Sequence, residues 1–387
     1  MRRVFICFLG VLLLGTTTLS SPLVYGPWTG APDRTSITVS WFSSPPTAAT
    51  IRYGPLSLYW MTGELPFSFS HAPQTSGEQE IVHVKLENLE PSTWYVYKLV
   101  FPTGEETPIG TFRTAPEPGE PVTFAVISDT QWQWTGVNRV QMVAEAMACD
   151  GVAFHFVLHG GDLVETPIPE HWRFFFTSLD PVLRWAPLIP VLGNHERDSL
   201  SYYQHFSLPP GGGRLGKRWW AFHWGDLVIV GLDSNAKTPR DYLEQLEWIR
   251  KNLSGQEPYK VVIFHHPVFS SDVHYGPGAE GLQKLWHPVF AELGVDLVFN
   301  GHAHNYERIV RDGVTYLVVG GGGANLYPLS PARLEGSVFG DDEHYFYVVV
   351  RADEDGLTVR VMKVAKLRAG EIIPELGVLE EFTLPKK

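Results

Sequence analysis

Cysteine is almost missing from this chain: there are two in 387 residues, Cys7 and Cys149. Cys7 lies inside an N-terminal apolar run, so a chain processed there keeps Cys149 as its sole thiol and can form no internal disulfide. The same shortage excludes a thiolate metal site. Stability has to come from the core and any bound ion. Runs of Lys and Arg are missing too. With 30 basic against 42 acidic residues and a formal net charge of −12, the chain has no footprint for gripping a nucleic-acid backbone, and long polyanions are not expected partners. Small anions remain admissible, because a bound cation reverses the local sign of the field. Beyond the N-terminus no apolar stretch reaches the ~20 residues that a membrane-spanning helix requires, and no repeat or low-complexity tract interrupts the chain.

What is present falls into three parts. Residues 1–20 combine a basic start (MRR), an apolar run (VFICFLGVLLLG) and a small polar exit, the pattern of a secretory signal peptide. The expected address is secreted or periplasmic, with an uncleaved N-terminal membrane anchor as the alternative. Residues 22–115 alternate in hydrophobicity over short runs such as TSITVSW and IVHVKLENL, broken by turn residues, and read as a small antiparallel β-sandwich. Pro116, Pro118, Gly119 and Pro121 make a linker. From 121 to 387 the rhythm changes to buried apolar runs (VTFAVIS, FHFVLH, PLIPVL, DLVIVGL, KVVIFH, VDLVFN, VTYLVVG) alternating with the amphipathic stretches VNRVQMVAEAMA, RDYLEQLEWIRKNL and EGLQKLWHPVFAEL. That is α/β architecture, and EHYFYVVVRADEDGLTVRVMKV reads as a closing pair of strands around an Asp-Gly turn.

The chemistry lies just past those apolar runs. Asp129, Asp162, Asn194 with His195, His265 with His266, and His302 with His304 each follow a different run. In α/β sheets the carboxyl ends of the strands form the ligand-binding edge, so segments distant in sequence converge there. Gly160, Gly161, Gly193 and Gly301 permit the sharp turns such convergence needs. A single His after an apolar run is ordinarily structural; five such sites in order point to a shared centre.

These segments, SDTQ, GGDLVE, GNHE, VIFHHP and GHAHNYER, resemble the motifs of the calcineurin-like metallophosphoesterases. With a fibronectin type III-like module in front, the chain resembles their purple acid phosphatase branch. The resemblance implies a four-layer α/β/β/α sandwich and a two-metal site. It puts Asp129 and His304 on one ion, Asp162 between both, and Asn194, His265 and His302 on the other. Hard carboxylates and an amide beside imidazoles suit Fe, Mn or Zn. It further implies a hydroxide nucleophile between the ions, with His195 as general acid toward the leaving oxygen.

Two positions depart from the pattern. Glu165 stands where the purple enzymes have a metal-binding Tyr, so no purple colour is expected. Its carboxylate is read either as the partner that orients His195 and raises its pKa, or as an ordinary first-turn carboxylate of a helix. Gln131 stands where the superfamily commonly has His; it either completes the first metal's shell or hydrogen-bonds a water there. On the substrate side, His274 is expected to contact phosphate, and Tyr306, with Trp132 and Trp134, to floor a pocket for an aromatic group. Arg308 is read as a phosphate contact or as half of a structural pair; His266, Glu196 and Asp198 read as supporting or surface groups.

The expected function is hydrolysis of small phosphate monoesters outside the cytoplasm by a binuclear metal site. A phosphodiesterase or nucleotidase on the same site is the nearest alternative. A metal-decayed binding protein acting through the β module is the alternative from another class. No feature of the sequence sets the oligomeric state.

Overall fold

The computed structural model describes residues 21–74, 80–131 and 136–386; the expected targeting segment 1–20 and Trp132 and Trp134 lie outside them. Seven short strands build the N-terminal sandwich, three in one sheet and four in the other. Its core is the alternate residues of facing strands: Ile37, Val39 and Trp41 from Ile37–Ser43, Val82, Val84 and Leu86 from Glu80–Leu86, Tyr95, Tyr97 and Leu99 from Trp94–Val100. The period of two read from the sequence is the period at which these side chains turn inward.

Two large sheets follow, of six and eight strands. In the six-stranded sheet the parallel trio Leu188–Pro190, Val157–His159 and Val122–Ile127 runs into the antiparallel strands His344–Asp353, Gly356–Arg368 and Glu371–Pro385. The eight-stranded sheet centres on four parallel neighbours, Leu227–Gly231, Tyr259–Ile263, Leu297–Asn300 and Val314–Val319. Both faces of these strands are covered, which is why they read as unbroken apolar runs instead of alternating. One core fills the space between the sheets, with Phe124, Val126, Phe156 and Val348 facing Ile229, Val261 and Phe299. A second lies between the six-stranded sheet and the helices Arg139–Cys149 and Pro169–Leu183. A third lies between the eight-stranded sheet and the helix Pro239–Leu253 with the short helices that follow. The layering is therefore α/β/β/α.

Three details differ from the sequence reading. The stretch expected as one helix over 280–293 is two, Glu280–Leu285 and His287–Glu292, because Pro288 has no N–H to continue the ladder and is suited only to a first turn. Pro169–Leu183 is an additional helix. The closing pair of strands is a trio, with Glu371–Pro385 on the edge.

The sandwich and the α/β part share a core. Tyr25 and Trp28, from the first strand, enter the same cluster as Trp172, Phe176 and Phe206; the Tyr25 ring stacks on Phe176 with centroids 4.9 Å apart. Backbone and side-chain bonds add to this, with Thr111 N–H donating to Arg184 O at 2.9 Å and His83 Nε2 to Gln204 O at 2.7 Å.

Candidate metal centre

The parallel strands of both sheets end at one edge, and the turns leaving them carry the chemistry. Asp129 comes two residues after Val122–Ile127, Asp162 three after Val157–His159, His265 two after Tyr259–Ile263, and His302 two after Leu297–Asn300. The turns are tight enough that Asp129 (φ 60°), Asp162 (φ 53°) and His302 (φ 67°) are all left-handed, a conformation that costs a non-glycine residue roughly 1–2 kcal/mol. Two glycines are required for contact: a Cβ on Gly193 would fall on the amide and carboxylate of Asp162, and one on Gly301 would strike Ser128 and Asp129.

The loops are tied to each other by backbone bonds. Asp129 N–H donates to Gly161 O and Thr130 N–H to Asp162 O, while His302 N–H donates to both carboxylate oxygens of Asp129 at 3.0 and 3.1 Å. Glu196 is the unexpected clamp. It is fully buried, and its two oxygens accept four amides: Leu163 and Val164 on one, Asp162 and Gly193 on the other. Burial, followed by the neighbouring Asp162 carboxylate, pushes its pKa up to about 7. The sequence admits it as a supporting or a surface group, and the amides of Gly193 and of the Asp162 loop show that it is the former.

Inside this frame, donor atoms converge. Nδ1 of His265 is 2.9 Å from Gly160 O, so the proton sits on Nδ1 and the Nε2 lone pair points inward. That lone pair meets Asp162 Oδ2 at 3.1 Å and Asn194 Oδ1 at 3.0 Å. Likewise Nδ1 of His304 bonds Asn325 O at 2.7 Å, leaving Nε2 facing Asp129 Oδ1 at 3.4 Å. One ligand atom each from Asp162, His265 and His302 lies within 4.8 Å of the others. Lone pairs aimed at each other in a buried space describe the surroundings of a positive charge. Burial lowers the pKa of the ion-free His265 ring, but Asp162 outweighs it and raises it to about 9, so a proton takes the inward Nε2 lone pair wherever no cation does. Asp162 itself is held below the usual carboxylate range, His265 and His195 overcoming its burial. Gln131 donates through Nε2 to Asp162 Oδ2 at 3.0 Å, while its buried Oε1 has no hydrogen-bond partner. An orphaned buried acceptor beside this cluster fits a cation or an ion-bound water.

His195 lies at the mouth, half-buried. Its N–H donates to Asp162 Oδ1 at 2.9 Å, and its Nε2 faces Asp162 Oδ2 at 3.8 Å. Nδ1 donates to the backbone oxygen of Glu165 at 2.8 Å, with the Glu165 carboxylate at 3.7 Å. The orienting bond expected from the carboxylate is thus made by the carbonyl of the same residue. Burial lowers the pKa of this ring, but Asp162, then the Glu165 carbonyl and carboxylate, raise it further, leaving it above the usual histidine range.

The expected place of Tyr306 in an aromatic floor needs a correction, while Trp132 and Trp134 lie outside the described residues. Tyr306 is fully buried in the core between the sheets; its hydroxyl donates to Glu380 Oε2 at 2.6 Å and its ring packs on Phe339 and Phe346, so it faces no substrate. Residue 306 opens the strand Tyr306–Arg311 and turns inward. Arg308 forms the structural pair, again with Glu380. Among the described residues, the aromatic rings at the centre are Tyr275, 3.9 Å from the His302 ring, and Tyr327, stacked on His304 at 4.2 Å. His274 is exposed on the rim, edge-on to Tyr327. His266 bonds Ser234 and packs on His302.

Residues 122–306 match the family model described as calcineurin-like phosphoesterase, and residues 24–114 the one described as purple acid phosphatase, N-terminal domain. An uncharacterized protein of Mycobacterium tuberculosis is 28% identical over 274 residues, 61% of this chain and 52% of its own length. The Fe(3+)-Zn(2+) purple acid phosphatase 12 of Arabidopsis thaliana is 27% identical over 264 residues, 62% of this chain and 55% of that protein. The chain spans little more than half the length of these relatives. The solved structure of purple acid phosphatase PPD1 from yellow lupin (Lupinus luteus) seeds superposes with a TM-score of 0.70 at 20% identity, over 90% of this chain and 73% of that one. At that identity the likeness shows the fold.

Proposed function

The chain joins a purple acid phosphatase N-terminal domain to a calcineurin-like phosphoesterase domain, and from that premise we propose that it is a metal-dependent phosphomonoesterase exported through residues 1–20. The observation that carries the reading is the convergence of the His265 and His304 Nε2 lone pairs on carboxylate and amide oxygens. Asp129, Asp162, Asn194, His265, His302 and His304 would hold two ions, with Gln131 completing the shell of the Asp129–His304 ion or bonding a water on it. When bound, the ions supply Lewis acidity, lowering the pKa of water and drawing charge from a phosphoryl group. A relative named as an Fe(3+)-Zn(2+) enzyme supports iron and zinc, and the donor set also suits manganese.

The chain's own residues do the rest. His195, with Nδ1 fixed by the Glu165 carbonyl, presents Nε2–H at the mouth of the site. Its pKa is shifted upward, in the direction that favours the protonated ring, and the ring donates that proton to the leaving oxygen. Tyr275 and Tyr327 wall the opening, and His274 at the rim supplies a contact for phosphate oxygens.

The test is to load the protein with Mn, Fe or Zn in turn and compare an aryl phosphomonoester with the matching diester. Faster monoester release that is lost in His195→Ala supports the reading; preference for the diester moves it to a phosphodiesterase. No turnover of either with two ions bound overturns it.

A further inference from the structure

The turn His302–His304 and the rim that carries His274 and Tyr275 come from different stretches of the chain, and one buried pair joins them. Asp272 is 2% exposed and Asn305 is fully buried. Oδ1 of Asp272 accepts the N–H groups of His274 and Tyr275 at 2.7 and 2.9 Å, and its Oδ2 accepts Nδ2–H of Asn305 at 2.8 Å. Asn305 directly follows His304, and the Tyr327 carbonyl lies 3.4 Å from the same Nδ2. The seam runs on to either side, with Ser271 N–H on Glu307 Oε2 at 2.6 Å and Val273 N–H on Pro328 O at 3.1 Å. Among the described residues no Lys or Arg lies within ion-pair distance of Asp272, so three N–H groups are what its charge meets. A carboxylate buried without a cation is costly unless its lone pairs are filled. What this one secures is the backbone beneath two exposed side chains, Tyr275 against the His302 ring and His274 against Tyr327.

We infer that Asp272 is a positioning residue for the reaction. An exposed loop left to itself samples many backbone states, and a ligand that needs one of them binds more weakly by the fraction of time that state is absent. Anchored through Asn305, the His274–Tyr275 rim keeps one place relative to the metal turn, so phosphate entering the centre meets His274 already ordered. The anchor has to take three N–H groups and offer none back, which a carboxylate does and an amide does not. An amide at 272 would set its own NH₂ against that of Asn305.

Three variants test this. Asp272→Asn opposes two NH₂ groups, Asn305→Asp opposes two carboxylates, and the double exchange returns one donor to one acceptor. Hydrogen–deuterium exchange of the metal-free proteins is read on peptides covering residues 271–279. Exchange is expected to be about tenfold faster in each single variant, the scale of one lost hydrogen bond to a charged group, and close to the parent in the double. Parent-like exchange in both single variants, or a double variant no slower than Asp272→Asn, overturns the inference. Asn305→Ser removes the donor without opposing like groups, and carries the same expectation where a single variant does not fold. The second measurement rests on the phosphomonoesterase reading. In the metal-loaded proteins Asp272→Asn is expected to raise KM for 4-nitrophenyl phosphate about tenfold and to change kcat less than about threefold. Its ion content is expected to match the parent, and the double exchange to restore KM. Unchanged KM, a fall in kcat alone, or loss of ions overturns the positioning role. If the parent hydrolyses nothing while exchange follows the expected order, the activity reading fails and the Asp272–Asn305 anchor stands.

Discussion

The Tyr25 hydroxyl, in the first strand of the β-sandwich, donates to Nε2 of His205 in the α/β domain across 2.8 Å. Nδ1 of that ring already donates to Ser201 O at 2.7 Å, so the ring accepts from Tyr25 only while it is neutral. Burial depresses its pKa to about 4. The unfolded ring binds its proton near pH 6.5, so the stability it contributes is complete above about 6.5 and is lost as pH falls from there to about 4, at about 1.4 kcal/mol per unit of depression. His155, pushed down to about 3 by burial and then by Arg113, acts in the same direction. Urea midpoints between pH 7 and 4.5 are expected to fall, with a shallower slope in His205→Asn; an equal slope in the variant counts against this account.

Glu196→Gln exchanges four accepted amides for an amide group that can accept on one side only. At least one backbone N–H is left unpaired against an NH₂, at about 1–3 kcal/mol for each buried group. A drop of several degrees in Tm is expected, together with lower metal occupancy by elemental analysis, because the clamp joins the Asp162 and Asn194 turns. Retention of both Tm and occupancy would contradict the clamp.

Glu165→Gln is expected to change turnover less than threefold, since the 2.8 Å bond to His195 comes from the backbone. His195→Ala should lower kcat by roughly 10²–10⁴. Comparison of the two pH–rate profiles checks the assignment: a large shift in the Glu165 variant would return the orienting role to its carboxylate.

Gln131→Ala removes the donor to Asp162 and the orphaned Oε1 together. Metal affinity, measured by competition with a chromogenic chelator, is expected to weaken by roughly 10–100-fold for one ion and little for the other. Equal affinities in parent and variant would leave that oxygen without a role.

Tyr306→Phe is expected to reduce stability by about 1 kcal/mol through the lost bond to Glu380 and to leave KM unchanged. A changed KM would restore the substrate contact that the buried position excludes.

The strands that position the centre were legible because each is buried on both faces: Val122–Ile127, Leu227–Gly231 and Val314–Val319 stand out as apolar runs. The same pattern showed where each run stops, and so which residues follow. The helix Pro169–Leu183 was obscured by Pro181 inside it, although Trp172, Phe175, Phe176 and Leu179 keep the helical spacing. Glu371–Pro385 has mostly exposed or half-buried residues and an interior Pro374, so no apolar run advertises an edge strand. Within the site, Tyr306 was misplaced because adjacency to His304 in sequence says nothing about which face of the next strand it takes. Glu196 acts on backbone amides of other loops, and Glu165 acts on the His195 ring through its own carbonyl, neither of which a residue pattern records.

The three left-handed backbones at Asp129, Asp162 and His302 set fold and site in opposition. Glycine at each would relieve roughly 1–2 kcal/mol of torsional cost, but at Asp129 and Asp162 it would also strand the amides of His302 and His195 that their carboxylates accept, at about 1–3 kcal/mol for each buried donor. Selection for thermal robustness alone is therefore drawn to His302, whose side chain accepts no backbone amide, before the two carboxylates. A stabilising His302→Gly exchange would register as a gain in melting temperature and a loss of ions in the same protein.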